Sequence, residues 1–294
     1  MAVPALPPTT PTPRNPSPEG DERMLTAAGH RLRVHVRPAR VPDTAVAAPG
    51  PHPVRPLLLI NGIGASLELF EPLVTALDPR REVIRFDVPG IGGSPLPWLP
   101  LPMAALASVV AGLLDALGHD RADVLGLSWG GGIAQQFAMQ YPGRVGRLAL
   151  VSTGMGALMV PARLSVLAKM LTPRRYNDRS YRREAGAEIY VGEEQAAVDR
   201  LFERVQRVQG QGYLYQLLAL ATWSSLPVLG LIKAPTLVLA GRRDPVIPVV
   251  NAQIMGAGIP RATVHLHDGG HLGLLTRPHD LGRVLEDFLD RDTA

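Results

Sequence analysis

At 294 residues, 46% hydrophobic and 19% charged, the chain is long enough for one α/β domain with an insertion and too apolar to be disordered as a whole. It contains no cysteine, which excludes disulfides, thiolate metal sites and a cysteine nucleophile, and which fits a reducing compartment. The net charge of +4 rests on arginine, with Lys169 and Lys233 the only lysines, and acidic residues are interspersed along the chain, so no nucleic-acid face is expected.

Residues 1–22 read as a disordered proline-rich tail, without the basic n-region and apolar core of a signal peptide. From Met24 to Arg37, alternation around Gly29-His30 predicts a hairpin with Leu32, Val34 and Val36 on one side. A second proline-rich loop covers about 42–55. Pro56 to Ile60 is a continuous apolar strand, and the absence of alternation predicts cover on both faces, hence a parallel sheet. Helix and strand then alternate: helix 67–77, strand 83–87, helix 103–117, strand 123–127, helix 130–141, strand 147–152. The rhythm breaks at Thr153 and resumes at Thr236. Residues 153–233 are therefore expected to form a helical cap inserted after the sixth strand, between core segments 23–152 and 234–294. Within it Val208 to Ile232 lacks charge, but its glycines, glutamines and proline exclude a membrane-spanning helix. Strand 263–267 and helix 278–290 close the domain.

The chemistry starts at Gly126-Leu127-Ser128-Trp129-Gly130, a Gly-x-Ser-x-Gly elbow between a strand and a helix. Such a turn lifts a serine hydroxyl above the sheet, and side chains at 126 or 130 would clash with neighbouring backbone. A serine nucleophile needs a base, and the base an orienting acid, in the chain order Ser, acid, His. Of the eight histidines, His271 alone lies in a glycine-rich loop past the last strand, in Asp268-Gly269-Gly270-His271. Asp244, after strand 236–240, is the expected acid; its rival Asp268 is only three residues from His271, and the turn after strand 147–152 has no carboxylate. The backbone N–H groups of Ile63 and Trp129 are the expected oxyanion hole. Asn61, Gly62, Trp98, Tyr190, Tyr213 and Trp223 are candidate substrate contacts. No metal-ligand spacing or phosphate loop appears, so neither metal nor cofactor is expected.

Further stretches stand out beside the elbow: Asn61-Gly62-Ile63-Gly64-Ala65-Ser66, Phe86-Asp87-Val88-Pro89-Gly90, Ser128-Trp129-Gly130-Gly131, Pro173-Arg174-Arg175-Tyr176, Gly212-Tyr213, Trp223-Ser224, Pro235 to Gly241 and Asp268-Gly269-Gly270-His271-Leu272. The elbow and Pro235 to Gly241 are generic, whereas the Asn61-Gly62-Ile63-Gly64 loop, Trp129 and the stretches within the expected cap are more particular. On these, from about Val54 to Arg277, the chain resembles the intracellular poly(3-hydroxyalkanoate) depolymerases of medium-chain-length type, members of the α/β-hydrolase superfamily. The resemblance implies an α/β-hydrolase fold and ester hydrolysis of a stored polyester by Ser128, Asp244 and His271 through an acyl-enzyme, releasing 3-hydroxy acids or oligomers. It also implies a cytoplasmic protein associated with storage granules. The proline-rich segments near 1–22 and 42–55 look longer than is usual there, and the loop Pro95 to Pro102 is more apolar. A small-molecule carboxylesterase or lactonase of the same fold is the nearest alternative, because fold and triad set no substrate. A non-catalytic ligand-binding or granule-coating protein is the alternative from a different class.

Overall fold

A computed structural model describes residues 20–40 and 54–291. Most of the proline-rich tail and of the loop at 42–55 lies outside the described residues.

Eight strands form one sheet in the order β1-β2-β4-β3-β5-β6-β7-β8. The hairpin β1 (Asp21–Ala27) and β2 (His30–Arg37) begins three residues earlier than the alternation suggested and turns at Ala28-Gly29. Leu32 and Val34 are buried, as their period of two requires. β2 runs antiparallel to both β1 and β4, and every remaining pair is parallel. The parallel strands are β3 (Leu57–Ile60), β4 (Val83–Phe86), β5 (Ala122–Leu127), β6 (Val145–Val151), β7 (Thr236–Gly241) and β8 (Ala262–His267). Five of these six are buried along their whole length, β8 at the edge being the exception.

Burial on both faces explains their unbroken hydrophobicity. Leu57 and Leu59 of β3 point into one core, with Phe70, Leu285 and Phe288. Leu58 and Ile60 point into the other, with Val110, Ile133 and Phe137. The first core holds α1 (Glu71–Ala76), α10 (Gly273–Thr276) and α11 (Pro278–Leu289). The second holds α2 (Met103–Leu117), α3 (Trp129–Gln140) and α9 (Val250–Gly258). Helix α9 has no strong sequence signature, because its VNAQIMGAG run mixes small, polar and apolar residues; what requires it is the crossover between parallel β7 and β8.

Between β6 and β7 stand α4 (Leu164–Met170), α5 (Arg174–Asn177), α6 (Arg179–Ile189), α7 (Gln195–Arg204) and α8 (Gly210–Ala221). This is the helical insertion after the sixth strand. The chain leaves β3 for β4 on one side and reaches β5 on the other, so the loops after β3 and β5 face each other across the point where strand order reverses. Ligands bind at such a crevice in open α/β sheets.

Candidate active site

The chain enters α3 through Ser128 in a conformation closed to most side chains, φ 52° and ψ −118°. The crowding around it is backbone: a Cβ on Gly126 would sit 2.6 Å from the Gly130 carbonyl oxygen and from the Gly131 Cα. The strained turn is pinned from β6, where Ser128 donates its N–H to the Val151 carbonyl (2.8 Å) and Thr153 donates its hydroxyl to the Ser128 carbonyl (2.6 Å).

Asp244 follows β7 and His271 follows β8, and both meet Ser128 above the C-terminal ends of the strands. His271 Nδ1 lies 2.8 Å from Asp244 Oδ2, and His271 Nε2 lies 3.0 Å from Ser128 Oγ. An ionised carboxylate only accepts, so Nδ1 carries the proton and Nε2 is left to accept from the serine. The other Asp244 oxygen takes the amides of Val246 (2.8 Å) and Ile247 (3.0 Å), so the acid is itself held. Asp268 lies at the surface, its side chain 86% exposed and 3.5 Å from Arg242, away from the histidine ring.

The loop after β3 brings Gly62 beside the serine: a Cβ there would be 3.4 Å from Ser128 Cβ. The Gly62 carbonyl accepts from Ala65 (3.2 Å), and among the described residues the N–H groups of Ile63 and Trp129 have no protein acceptor. These are the two amides expected to receive an oxyanion. Asn61 is buried and donates to the Ser66 carbonyl (2.8 Å), which closes the loop rather than facing a ligand.

Two cavities open from Ser128. The larger, about 130 Å³, is almost wholly apolar, with Trp129, Met159, Leu167, Met170, Leu217 and Leu220 on its walls. The smaller, about 30 Å³, is lined by Gly62, His271, Arg175, Tyr176, Tyr190 and Phe202. Of the six expected substrate contacts, Gly62 and Tyr190 line these cavities. Tyr213 is buried behind them, donating to the Met170 carbonyl (2.5 Å) and accepting from Arg175 (2.7 Å). Trp223 donates its indole N–H to Gln136 (2.8 Å), and Trp98 stands at the surface, 93% exposed.

Sequence reasoning missed Arg175, Tyr176, Met170 and Phe202 as wall residues. The stretch Pro173 to Tyr176 was the only available signal, since an arginine pair in a charged helical segment reads as surface. Arg175 is instead buried over the rings of Tyr176 and Tyr213, at 4.7 and 5.5 Å.

Two further buried titratable groups brace the neighbouring loops. Asp87 accepts from the amides of Leu67 (2.7 Å) and Gly93 (2.8 Å) and from Arg33 (3.2 Å), while burial pushes its carboxyl up to about 6. His267 Nδ1 accepts from Gly269 N–H (3.0 Å) and Arg277 (2.9 Å); burial and then the arginine charge lower its pKa to about 4. Among the described residues no cluster of three or more His, Cys, Asp or Glu could hold a metal ion.

An eight-stranded, mostly parallel sheet with a serine elbow, a histidine and an aspartate at three strand ends defines a class, and comparison bears it out. The family described as the alpha/beta hydrolase fold matches residues 55–278, and the chain belongs to it. Within it the chain is 43% identical over 252 residues to the poly(3-hydroxyalkanoate) depolymerase of Ectopseudomonas oleovorans, covering 85% of this chain and 89% of that protein. It is thus an ester hydrolase of this family. It is also 26% identical to 3-oxoadipate enol-lactonase 2 of Acinetobacter baylyi, over 81% of this chain and 90% of that one. Among solved structures, the enol-lactonase of Burkholderia xenovorans LB400 superposes with a TM-score of 0.75 at 21% identity, over 92% of this chain and all of that one.

Proposed function

We propose that the protein hydrolyses the ester bonds of a poly(3-hydroxyalkanoate), releasing 3-hydroxy acids or oligomers through an acyl-enzyme on Ser128. The observation that carries this reading is the hydrogen-bonded chain Ser128–His271–Asp244 at the mouth of an apolar cavity. The 43% identity to a depolymerase of the same polymer class supports the substrate.

In the proposed reaction His271 Nε2 takes the Ser128 proton as Oγ attacks the ester carbonyl, and Asp244 stabilises the imidazolium that forms. The carbonyl oxygen becomes an oxyanion between the N–H groups of Ile63 and Trp129. His271 then returns the proton to the departing 3-hydroxyl oxygen. A water activated by the same histidine hydrolyses the acyl-enzyme. The apolar cavity of about 130 Å³ receives the alkyl-bearing acyl unit next to Ser128. Residues 153–233 act as the cap over it, contributing Met159, Met170 and Leu217 to its walls.

Polymer is insoluble, so a cytoplasmic enzyme must adsorb to granules. Trp98 and Leu99, 93% and 65% exposed on the proline-stiffened loop beside Tyr215, are the proposed docking residues. No helix among the described residues is long and apolar enough to cross a membrane.

A second reading, a small-molecule esterase or lactonase, is favoured by the cavity size, which suits one acyl unit. Incubation with amorphous granules of short- and medium-side-chain polyester, followed by chromatography of the products, separates the two. Release of 3-hydroxy acids or oligomers supports the depolymerase; silence on granules with turnover of soluble esters supports the alternative.

A further inference from the structure

The helical insertion does more than form the cavity walls: it grips the loops that carry the reacting groups. The peptide unit joining Ile63 to Gly64 is held at both ends by insertion side chains. Its carbonyl accepts from the Tyr176 hydroxyl (2.7 Å) and from Arg175 (3.3 Å), and its N–H donates to Gln216 Oε1 (2.7 Å). Gly64 adopts φ 75°, and a Cβ there would sit 2.8 Å from the Tyr176 ring and 2.9 Å from the Tyr213 ring, so the insertion is in contact with the loop backbone itself. The Gln216 backbone carbonyl also accepts the indole N–H of Trp129 at 2.8 Å, so it holds the side chain of the residue whose backbone N–H is the other expected oxyanion donor. One buried residue thus bridges the loop of Ile63 and the side chain of Trp129.

The histidine loop is held in the same way. Gly270 donates its N–H to Glu193 Oε1 at 2.9 Å, one residue before His271, and the second Glu193 oxygen accepts from the Thr276 hydroxyl. Loop 268–272 is also tied to the loop after β7, where Arg243 donates to the Asp268 and Gly269 carbonyls, but without the insertion the Gly270 N–H and the Ile63–Gly64 peptide lose the partners named here.

We infer that Tyr176, Gln216 and Glu193 are positioning residues, and that the oxyanion hole and the base reach working geometry only when the insertion is seated. This rests on the reading of Ser128 as nucleophile and of Ile63 and Trp129 as oxyanion donors. Its consequence is that displacing the insertion to admit a polymer chain relaxes the oxyanion loop, and chemistry waits for the insertion to close again. Preorganised donors lose most of their effect when free to reorient, and loss of one donor altogether costs 10²- to 10³-fold.

The test uses the full chain with Tyr176→Phe, Gln216→Leu, Glu193→Ala and the conservative Glu193→Gln, which keeps an acceptor oxygen. The readouts are kcat and KM on p-nitrophenyl octanoate, Ki for an alkyl trifluoromethyl ketone (whose adduct carries an oxyanion), and melting temperature. Tyr176→Phe and Gln216→Leu are expected to lower kcat about 10- to 100-fold with KM within about threefold, and to raise the ketone Ki by a similar factor. Glu193→Ala should lower kcat and Glu193→Gln should restore most of it. Tyr176→Phe removes one hydroxyl and no volume, so it keeps the test decisive if a larger change unfolds the chain. Unchanged kcat and Ki in Tyr176→Phe, or loss tracking only a fall in melting temperature, would overturn the inference. Stoichiometric fluorophosphonate labelling of wild-type Ser128 separates this outcome from failure of the serine mechanism itself, where no label is taken up.

Discussion

Asp244 gives one carboxylate oxygen to His271 at 2.8 Å and the other to two consecutive amides, those of Val246 and Ile247. A carboxylate held on both sides cannot swing to another partner, so it sets the tautomer of the histidine as well as its position. Asp244→Asn, Ser128→Ala and His271→Ala are each expected to lower kcat by about 10⁴-fold or more. Combining them should cost little beyond the worst single change, because the three act as a unit. Asp268→Asn should stay near wild type, since its carboxylate faces Arg242 at the surface. Steady-state kinetics on a soluble ester checks this, and the reverse ranking of Asp244 and Asp268 would refute the assignment.

The loop of Trp98 tests the proposed docking to an insoluble polymer. Burying Trp98 and Leu99 on polymer contributes about 1.5–3 kcal/mol each at most. Replacing both with serine is expected to weaken adsorption to granules and slow polymer turnover, with p-nitrophenyl ester hydrolysis nearly unchanged. Leu101 and Met103, further along, are partly and fully packed on the core, so only the tip of the loop is free to dock. Equal loss on both substrates would mean that the loop supports the site instead.

Stability should depend on pH through His267. Its pKa in the folded chain is about 4, below the unfolded value of about 6.5, so the unfolded chain binds the extra proton in between. The stability it preserves is complete above about pH 6.5 and falls as pH drops toward 4. Asp87 works in the opposite sense: its carboxyl is raised to about 6, so its contribution declines as pH rises from about 4 to 6. Comparing wild type with His267→Gln isolates the histidine. The difference in melting temperature should grow in favour of the variant on acidification, and a constant difference would contradict it.

At the elbow, Gly126→Ala is expected to destabilise the chain by about 2–3 kcal/mol and to abolish activity, since the added methyl meets backbone rather than a movable side chain. Urea unfolding with a parallel activity assay checks both. Gly143→Ala, where nothing lies within 4 Å of the added methyl, is the neutral control.

Sequence alone determined the elbow, the order of serine, acid and histidine, and the parallel strands that carry them. These features are local: a strand covered on both faces must be apolar at every position, and a turn this tight must be glycine on either side of the serine. It also marked where the insertion begins, because the strand rhythm stops at Thr153. Only the tertiary structure decided what the insertion touches. Tyr176, Glu193 and Gln216 reach Ile63, Gly270 and Gly64 across gaps of 113, 77 and 152 residues, and a hydroxyl, a carboxylate and an amide at those positions look like any polar residues of a helical segment and its turns. Trp98 is of the same kind: its place on a proline-rich apolar loop is legible in the chain, but that its side chain stands 93% exposed is decided by the fold. Local patterning records the backbone each residue must adopt, whereas a hydrogen bond between distant segments leaves no period or spacing in the chain.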